Sequence, residues 1–166
     1  ANSHLGHNVR LGARVIVANG ALLGGYVEVG DGAFISGNVV IHQFVRIGRL
    51  AMLSGNCGIG KDVPPFVATH GVRRNAIAGL NVIGMRRAGF SAAERLQIKR
   101  AFAILYRSGL NAGQAVEQMR QEFAEGPARE LAEFVAESRR GICPMAAGPT
   151  ESADDGDESG SPTNFR

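Results

Sequence analysis

The chain has 166 residues with 23 glycines, two cysteines and a formal net charge of +3, enough for one domain and an appendage. Two cysteines are too few for a disulfide framework, which points to a reducing, cytoplasmic setting, and no apolar run approaches the length of a membrane span. Basic residues gather in the middle (Arg73 to Arg107) without an aromatic platform or a recognised binding motif, which argues against a nucleic-acid partner.

From Leu5 to Pro64 the sequence repeats every six residues. Leu5, Leu11, Val17, Leu23, Val29, Ile35, Ile41, Ile47, Leu53 and Ile59 are all aliphatic, and four places after each comes a small or apolar residue, from Val9 to Val63. Gly6, Gly12, Gly24, Gly30, Gly48 and Gly60 follow the aliphatic position, where a tight corner would favour glycine. A period of six fits neither a helix nor simple alternation, and it predicts the hexapeptide repeat of a left-handed parallel β-helix. Three hexads close one triangular coil, so residues eighteen apart stack and ten hexads give about three coils. Ala1 falls in mid-hexad, so the chain reads as the C-terminal portion of a longer prism that lacks its N-terminal coils.

The coils are expected over 1–70, followed by a connecting loop with an extended stretch over 71–90 and a helical region over 91–140. Ser91 with Glu94 predicts a capping box for a helix to about Ser108, where Gly109 supplies a left-handed stop. Leu96, Ala103 and Tyr106, with Phe102 and Leu105 nearby, are its expected apolar side. Asn111 with Gln114 repeats the signal for a second helix to Glu125, and Pro127 opens a third to about Arg139. Residues 141–166 read as a disordered acidic tail.

Stacking by eighteen places His7 over Gly25 and Gly25 over Gln43, with Gly24 and His42 one column aside. An imidazole can take a proton from a hydroxyl, an assistance of typically 10²–10⁴-fold, and a glycine N–H can meet an oxyanion, worth about 3 kcal/mol. The same histidines are readable as solvated corner residues. A third reading is a zinc site shared between chains, as in γ-class carbonic anhydrases, although His4 and His7 lie three apart in one hexad and nothing else matches that arrangement. Arg86 and Arg87 fit either a diphosphate clamp or a solvated basic surface.

Five stretches carry a resemblance: His4-Leu-Gly-His7, Ile41-His-Gln-Phe44, Asp62-Val-Pro-Pro-Phe66, the run from Gly79 to Arg87 with Gly89-Phe90, and Ile104-Leu-Tyr-Arg-Ser-Gly109. In order and spacing they resemble the acyl-carrier-protein-dependent UDP-N-acetylglucosamine acyltransferases that start lipid A synthesis. The related enzymes that acylate the amine of a glucosamine share the prism, but their C-terminal region does not resemble the run through Arg87 and Arg107. The resemblance implies a homotrimer with active sites between subunits, using acyl carrier protein and UDP-N-acetylglucosamine and needing no cofactor or metal. It implies His7 as the base on the sugar 3-hydroxyl and the Gly25 amide as the oxyanion donor. His4, Tyr26, His42 and Gln43 would line the sugar and acyl pocket, Asn81, Arg86 and Arg87 would hold the nucleotide, and Gly55 would lie where a 3-hydroxyacyl chain ends. Tyr26 stands where some relatives have histidine, and Ala88 interrupts a basic run that often continues past Arg87. The alternative is a non-catalytic homologue that binds acyl carrier protein or assembles with longer chains.

Overall fold

The computed structural model describes residues 1–71 and 75–146. Strands β1 (His4–Leu5), β4 (Leu22–Leu23), β7 (Val40–Ile41) and β10 (Gly58–Ile59) stack in parallel on one face of a prism. The second face holds β2 (Arg10–Leu11), β5 (Glu28–Val29) and β8 (Arg46–Ile47). The third holds β3 (Ile16–Val17), β6 (Phe34–Ile35) and β9 (Met52–Leu53), continued by β11 (Val67–Thr69) and the antiparallel β12 (Ile77–Leu80). Leu5 pairs with Leu23, Leu23 with Ile41 and Ile41 with Ile59, the register expected of an eighteen-residue coil. The result is a left-handed parallel β-helix. A fourth circuit, beyond the expected three, is carried by β10, an Ile47–Val63 bridge and β11.

Both inward series fill the prism. Ala21, Val27, Ala33, Val39, Val45 and Ala51 are fully buried, as are Ile35 and Leu53. Each large aliphatic so buried contributes roughly 1.5–3 kcal/mol. Leu5 and Leu11, in the first described coil, are 45% and 42% exposed.

The corners are made differently from expectation. Left-handed backbone recurs at Asn2, Asn8, Arg14, Gly20, Tyr26, Gly32, Asn38, Phe44, Leu50 and Asn56, three places before each inward aliphatic, and not at Gly6, Gly12, Gly24 or Gly30. Asn and Gly tolerate this conformation; at Arg14, Tyr26, Phe44 and Leu50 it costs roughly 1–2 kcal/mol. The other glycines are needed for close approach. A Cβ on Gly24 would stand 2.6 Å from the Gln43 amide nitrogen, and one on Gly30 2.6 Å from that of Arg49.

Part of the segment expected as loop is helical: α1 (Val82–Arg87) is capped by Asn81, whose side chain accepts from the Gly84 N–H. The interior Gly84 and the absence of a carboxylate in the first turn hid this helix. Helix α2 (Ala92–Arg107) carries the expected capping box, and Gly109 has φ of 76°. Its buried side is Ile98, Ala101, Phe102, Ile104 and Leu105, whereas Leu96 is 58% exposed, a correction to the predicted stripe. Helices α3 (Ala112–Glu122), with the reciprocal Asn111–Gln114 box, and α4 (Pro127–Ala136) are each about three residues shorter than expected. Ala101, Leu105, Val116, Met119, Phe123, Leu131 and Val135 form the core between these three helices.

The helical region is fastened to the prism by Arg49, which forks onto the Glu130 carboxylate at 2.7–3.2 Å and lies over the Phe66 and Phe90 rings. The start of the predicted tail is ordered: Ile142 bridges Asp62, Met145 bridges Ile77, and Cys143 is fully buried. These residues add pairing to the last coil and to β12, where backbone groups would otherwise lack partners. The rest of that predicted tail, residues 147–166, lies outside the described residues.

Candidate functional site

The corner between the first and second faces brings together four of the candidate residues, His7, Gly25, Tyr26 and Gln43, with Phe44 beside them. His7, Gly25 and Gln43 form one column, and Tyr26 and Phe44 the next. The Tyr26 N–H donates to the His7 carbonyl at 2.9 Å and the Phe44 N–H to the Gly25 carbonyl at 3.0 Å, which fixes the stacking. The His7 ring lies flat against the Gly25 backbone, with Nε2 2.6 Å from where a Cβ would stand. Gly25 is buried, and no acceptor among the described residues takes its N–H. A glycine whose N–H takes no acceptor among the described residues, packed against an imidazole, is an arrangement that a developing oxyanion would satisfy.

Asn8, which sequence reasoning passed over, orients the ring. Its Oδ1 lies 3.1 Å from His7 Nδ1. A carboxamide oxygen only accepts, so Nδ1 carries the proton and Nε2 presents its lone pair. The available signal was Asn8's place in the left-handed series, since asparagine tolerates that backbone. Tyr26 meets His7 edge-on at 5.0 Å between centroids and stacks on Phe44 at 5.1 Å, so the ladder His7–Tyr26–Phe44 forms the outer wall of the corner. Tyr26 and Phe44 hold left-handed backbone to reach these positions.

His42 is exposed beside Gln43, its Nδ1 3.1 Å from the Gln43 carbonyl and 3.3 Å from Arg140 Nη2. Arg140, at the end of the helical region, is a second neighbour that the sequence did not reveal. A cavity of about 650 Å³ opens beside this edge, lined by Tyr26, Phe44, Arg46, Glu137, Arg139 and Arg140. His4 stands exposed on β1, in register with Leu22. Among the described residues no group of three or more His, Cys, Asp and Glu side chains is placed to hold a metal.

The remaining candidates lie elsewhere on the same chain. Asn81 and Arg87 line an apolar cleft of about 510 Å³ against the third face, with Ile16, Phe34, Met52 and Ile83. The Asn81 side chain is engaged within the fold, donating to the Leu50 carbonyl at 2.9 Å and accepting from Gly84. Arg86 and Arg87 are exposed in the last turn of α1, where they also complement the helix dipole. Gly55 sits at the corner between the third and first faces, and a Cβ there would stand 3.2 Å from the Gly37 carbonyl oxygen. Within one chain the structure therefore does not bring Asn81, Arg86, Arg87 or Gly55 to the His7 corner.

Residues 62–143 match the family described as Udp N-acetylglucosamine O-acyltransferase, domain 2. The acyl-[acyl-carrier-protein]–UDP-N-acetylglucosamine O-acyltransferase of Janthinobacterium sp. (strain Marseille) is 39% identical over 144 residues, covering 84% of this chain and 55% of that protein. Its counterpart in Syntrophobacter fumaroxidans is 46% identical over 141 residues, with the same two shares. The crystal structure of Francisella novicida UDP-N-acetylglucosamine acyltransferase superposes with a TM-score of 0.81 at 34% identity, over 86% of this chain and 52% of that one. The chain thus spans about half the length of the relatives it matches.

Proposed function

Because the chain belongs to the UDP-N-acetylglucosamine O-acyltransferase family, we propose that it transfers a 3-hydroxyacyl chain from acyl carrier protein to the 3-hydroxyl of UDP-N-acetylglucosamine, the first step of lipid A synthesis. The observation that supports this reading is the His7 imidazole packed against Gly25, whose N–H takes no acceptor among the described residues. His7 Nε2 removes the hydroxyl proton as the sugar oxygen attacks the thioester carbonyl. The tetrahedral oxyanion accepts from Gly25, and its collapse expels the carrier thiolate, which recovers the proton from the imidazolium.

The separation of the two groups of candidates supports a site shared between neighbouring chains, as in the homotrimer that the family resemblance implies. The His7 corner and the cleft at Asn81 and Arg87 lie on different edges of one prism, so a neighbouring chain is the natural source of the second half. In that assembly His4, Tyr26, His42 and Gln43 contact the sugar and acyl groups, Asn81, Arg86 and Arg87 the nucleotide, and Gly55 leaves space at the chain's end. Both substrates are cytoplasmic in this reading. No helix among the described residues is long and apolar enough to cross a membrane.

The test is transfer from 3-hydroxyacyl carrier protein to UDP-N-acetylglucosamine, read by mass spectrometry. His7→Ala is expected to lose about 10²–10⁴-fold in rate while eluting at the wild-type size. Undiminished turnover refutes His7 as the base. Carrier-protein binding without transfer by the wild type favours the non-catalytic alternative.

A further inference from the structure

The segment after α4 returns to the prism and is tied there on both sides of Arg140. Ser138 Oγ donates to Asp62 Oδ2 at 2.7 Å, the Gly141 carbonyl accepts from the Asp62 N–H at 3.0 Å, and the Cys143 N–H donates to the Asp62 carbonyl at 2.8 Å. Asp62 itself is 1% exposed, and its Oδ1 accepts from the Arg46 N–H at 2.9 Å. Arg140 is therefore delivered by an anchored backbone. Its guanidinium forks between two coils, with Nε donating to the Gly60 carbonyl at 3.2 Å and Nη2 facing His42 Nδ1 at 3.3 Å.

The two neighbours of His42 Nδ1 make opposite demands. A guanidinium only donates, so Nδ1 must offer its lone pair; the Gln43 carbonyl only accepts, so it requires a proton on Nδ1. One nitrogen cannot do both. Hydrogen bonds from an ionised donor are roughly twice as strong as neutral ones, which favours the bond from Arg140.

We propose that Arg140 is a positioning residue for His42, holding the ring in the tautomer protonated on Nε2, so that it offers a hydrogen-bond donor at the candidate catalytic corner. Asn8 imposes the opposite tautomer on His7. Two imidazoles on one edge thus present one lone pair and one N–H, the first for a substrate hydroxyl proton and the second for a neighbouring substrate oxygen. This role rests on the acyl-transfer reading of the corner; the ring assignment does not.

The experiment is a long-range ¹H–¹⁵N spectrum of the chain labelled at histidine, recorded at alkaline pH, with the His42 signals identified by their loss in His42→Gln. The wild type is expected to show a protonated Nε2 and an unprotonated Nδ1. In Arg140→Ala the proton is expected to move to Nδ1, against the Gln43 carbonyl, and in Arg140→Lys, which keeps a cationic donor, to stay on Nε2. A wild-type ring protonated on Nδ1 overturns the proposal without recourse to any variant, and so does an Arg140→Ala spectrum identical to wild type. Signals from His4 and His7 report whether the variant is folded. In the transfer assay kcat/KM is expected to fall about tenfold in Arg140→Ala and to recover in Arg140→Lys. A tautomer change with no kinetic effect removes Arg140 from the site's chemistry, while a wild type without any transfer refutes the acyl-transfer reading and leaves the ring assignment to the spectrum.

Discussion

His7 Nε2 lies 2.6 Å from the position that a Cβ on Gly25 would occupy, while the same construction on Gly24 meets the backbone nitrogen of Gln43 at 2.6 Å. Two adjacent glycines are therefore required for different reasons. At Gly25 the obstacle is the end of a side chain that can swing aside; at Gly24 it is the next coil's main chain, which cannot. Gly25→Ala is expected to melt near the wild-type temperature but to lose about 10²-fold in kcat, since the base is displaced from the oxyanion donor. Gly24→Ala is expected to lower the melting temperature clearly. Paired thermal melts and transfer rates check both, and equal destabilisation by the two variants contradicts the distinction.

Asn8 does two things at once: its backbone is left-handed, with φ of 60°, and its side chain orients His7. Asn8→Asp preserves an oxygen acceptor for Nδ1 and tolerance of that backbone, and is expected to retain transfer. Asn8→Ala loses both, with a fall in kcat of about tenfold and a stability cost of about 1 kcal/mol from the backbone alone. Denaturant melts separate the two effects. A wild-type kcat in Asn8→Ala removes the orienting role.

The prism was legible because its side-chain period is an arithmetic property of the sequence. Pairing of Leu5 with Leu23 and Ile41 with Ile59 follows from counting by eighteen, and so does the meeting of His7 with Gly25. What counting did not supply was anything set by χ angles or by returning chain. The bond from Asn8 to His7 depends on a rotamer, and Arg140 reaches His42 across a separation of 98 residues. Helix α1 escaped notice because its cap, Asn81, is also held by the Leu50 carbonyl, a tertiary support that local propensity does not register. Ile142 and Cys143 were read as tail because their composition merges into the acidic run, although both pack on the last coil.

Arg49 joins the prism to the helices through a two-nitrogen fork onto Glu130, with both side chains about one-third exposed. Paired geometry of this kind holds an interface better than a single surface contact, but partial exposure keeps its worth modest. A double-mutant cycle with Arg49→Ala and Glu130→Ala is expected to give a coupling of about 1 kcal/mol. Arg49→Ala should cost more than Glu130→Ala, because it also uncovers the Phe66 and Phe90 rings. Additive single losses show that the fork contributes nothing of its own.

Glu133 on α4 ties this helix to α3, accepting from Arg120 at 3.1 and 2.6 Å, and it also accepts from Arg129 on its own helix at 2.5 Å. The bonds from Arg120 and then Arg129 hold its carboxyl down to about 2, from an ordinary value of 4.5. A carboxyl with a lower value in the folded state adds stability that is complete above the unfolded value and disappears as the pH falls through the folded one. The contribution of Glu133 is therefore expected to be full at neutral pH, to decline below about 4.5 and to be gone near 2. Glu133→Gln should melt below the wild type at neutral pH, with the gap closing across that acidic window. High salt should narrow the neutral gap as well, since the groups are partly exposed. A gap that stays constant from neutral to strongly acidic pH assigns the loss to packing of the amide and rejects the charged tie between α3 and α4.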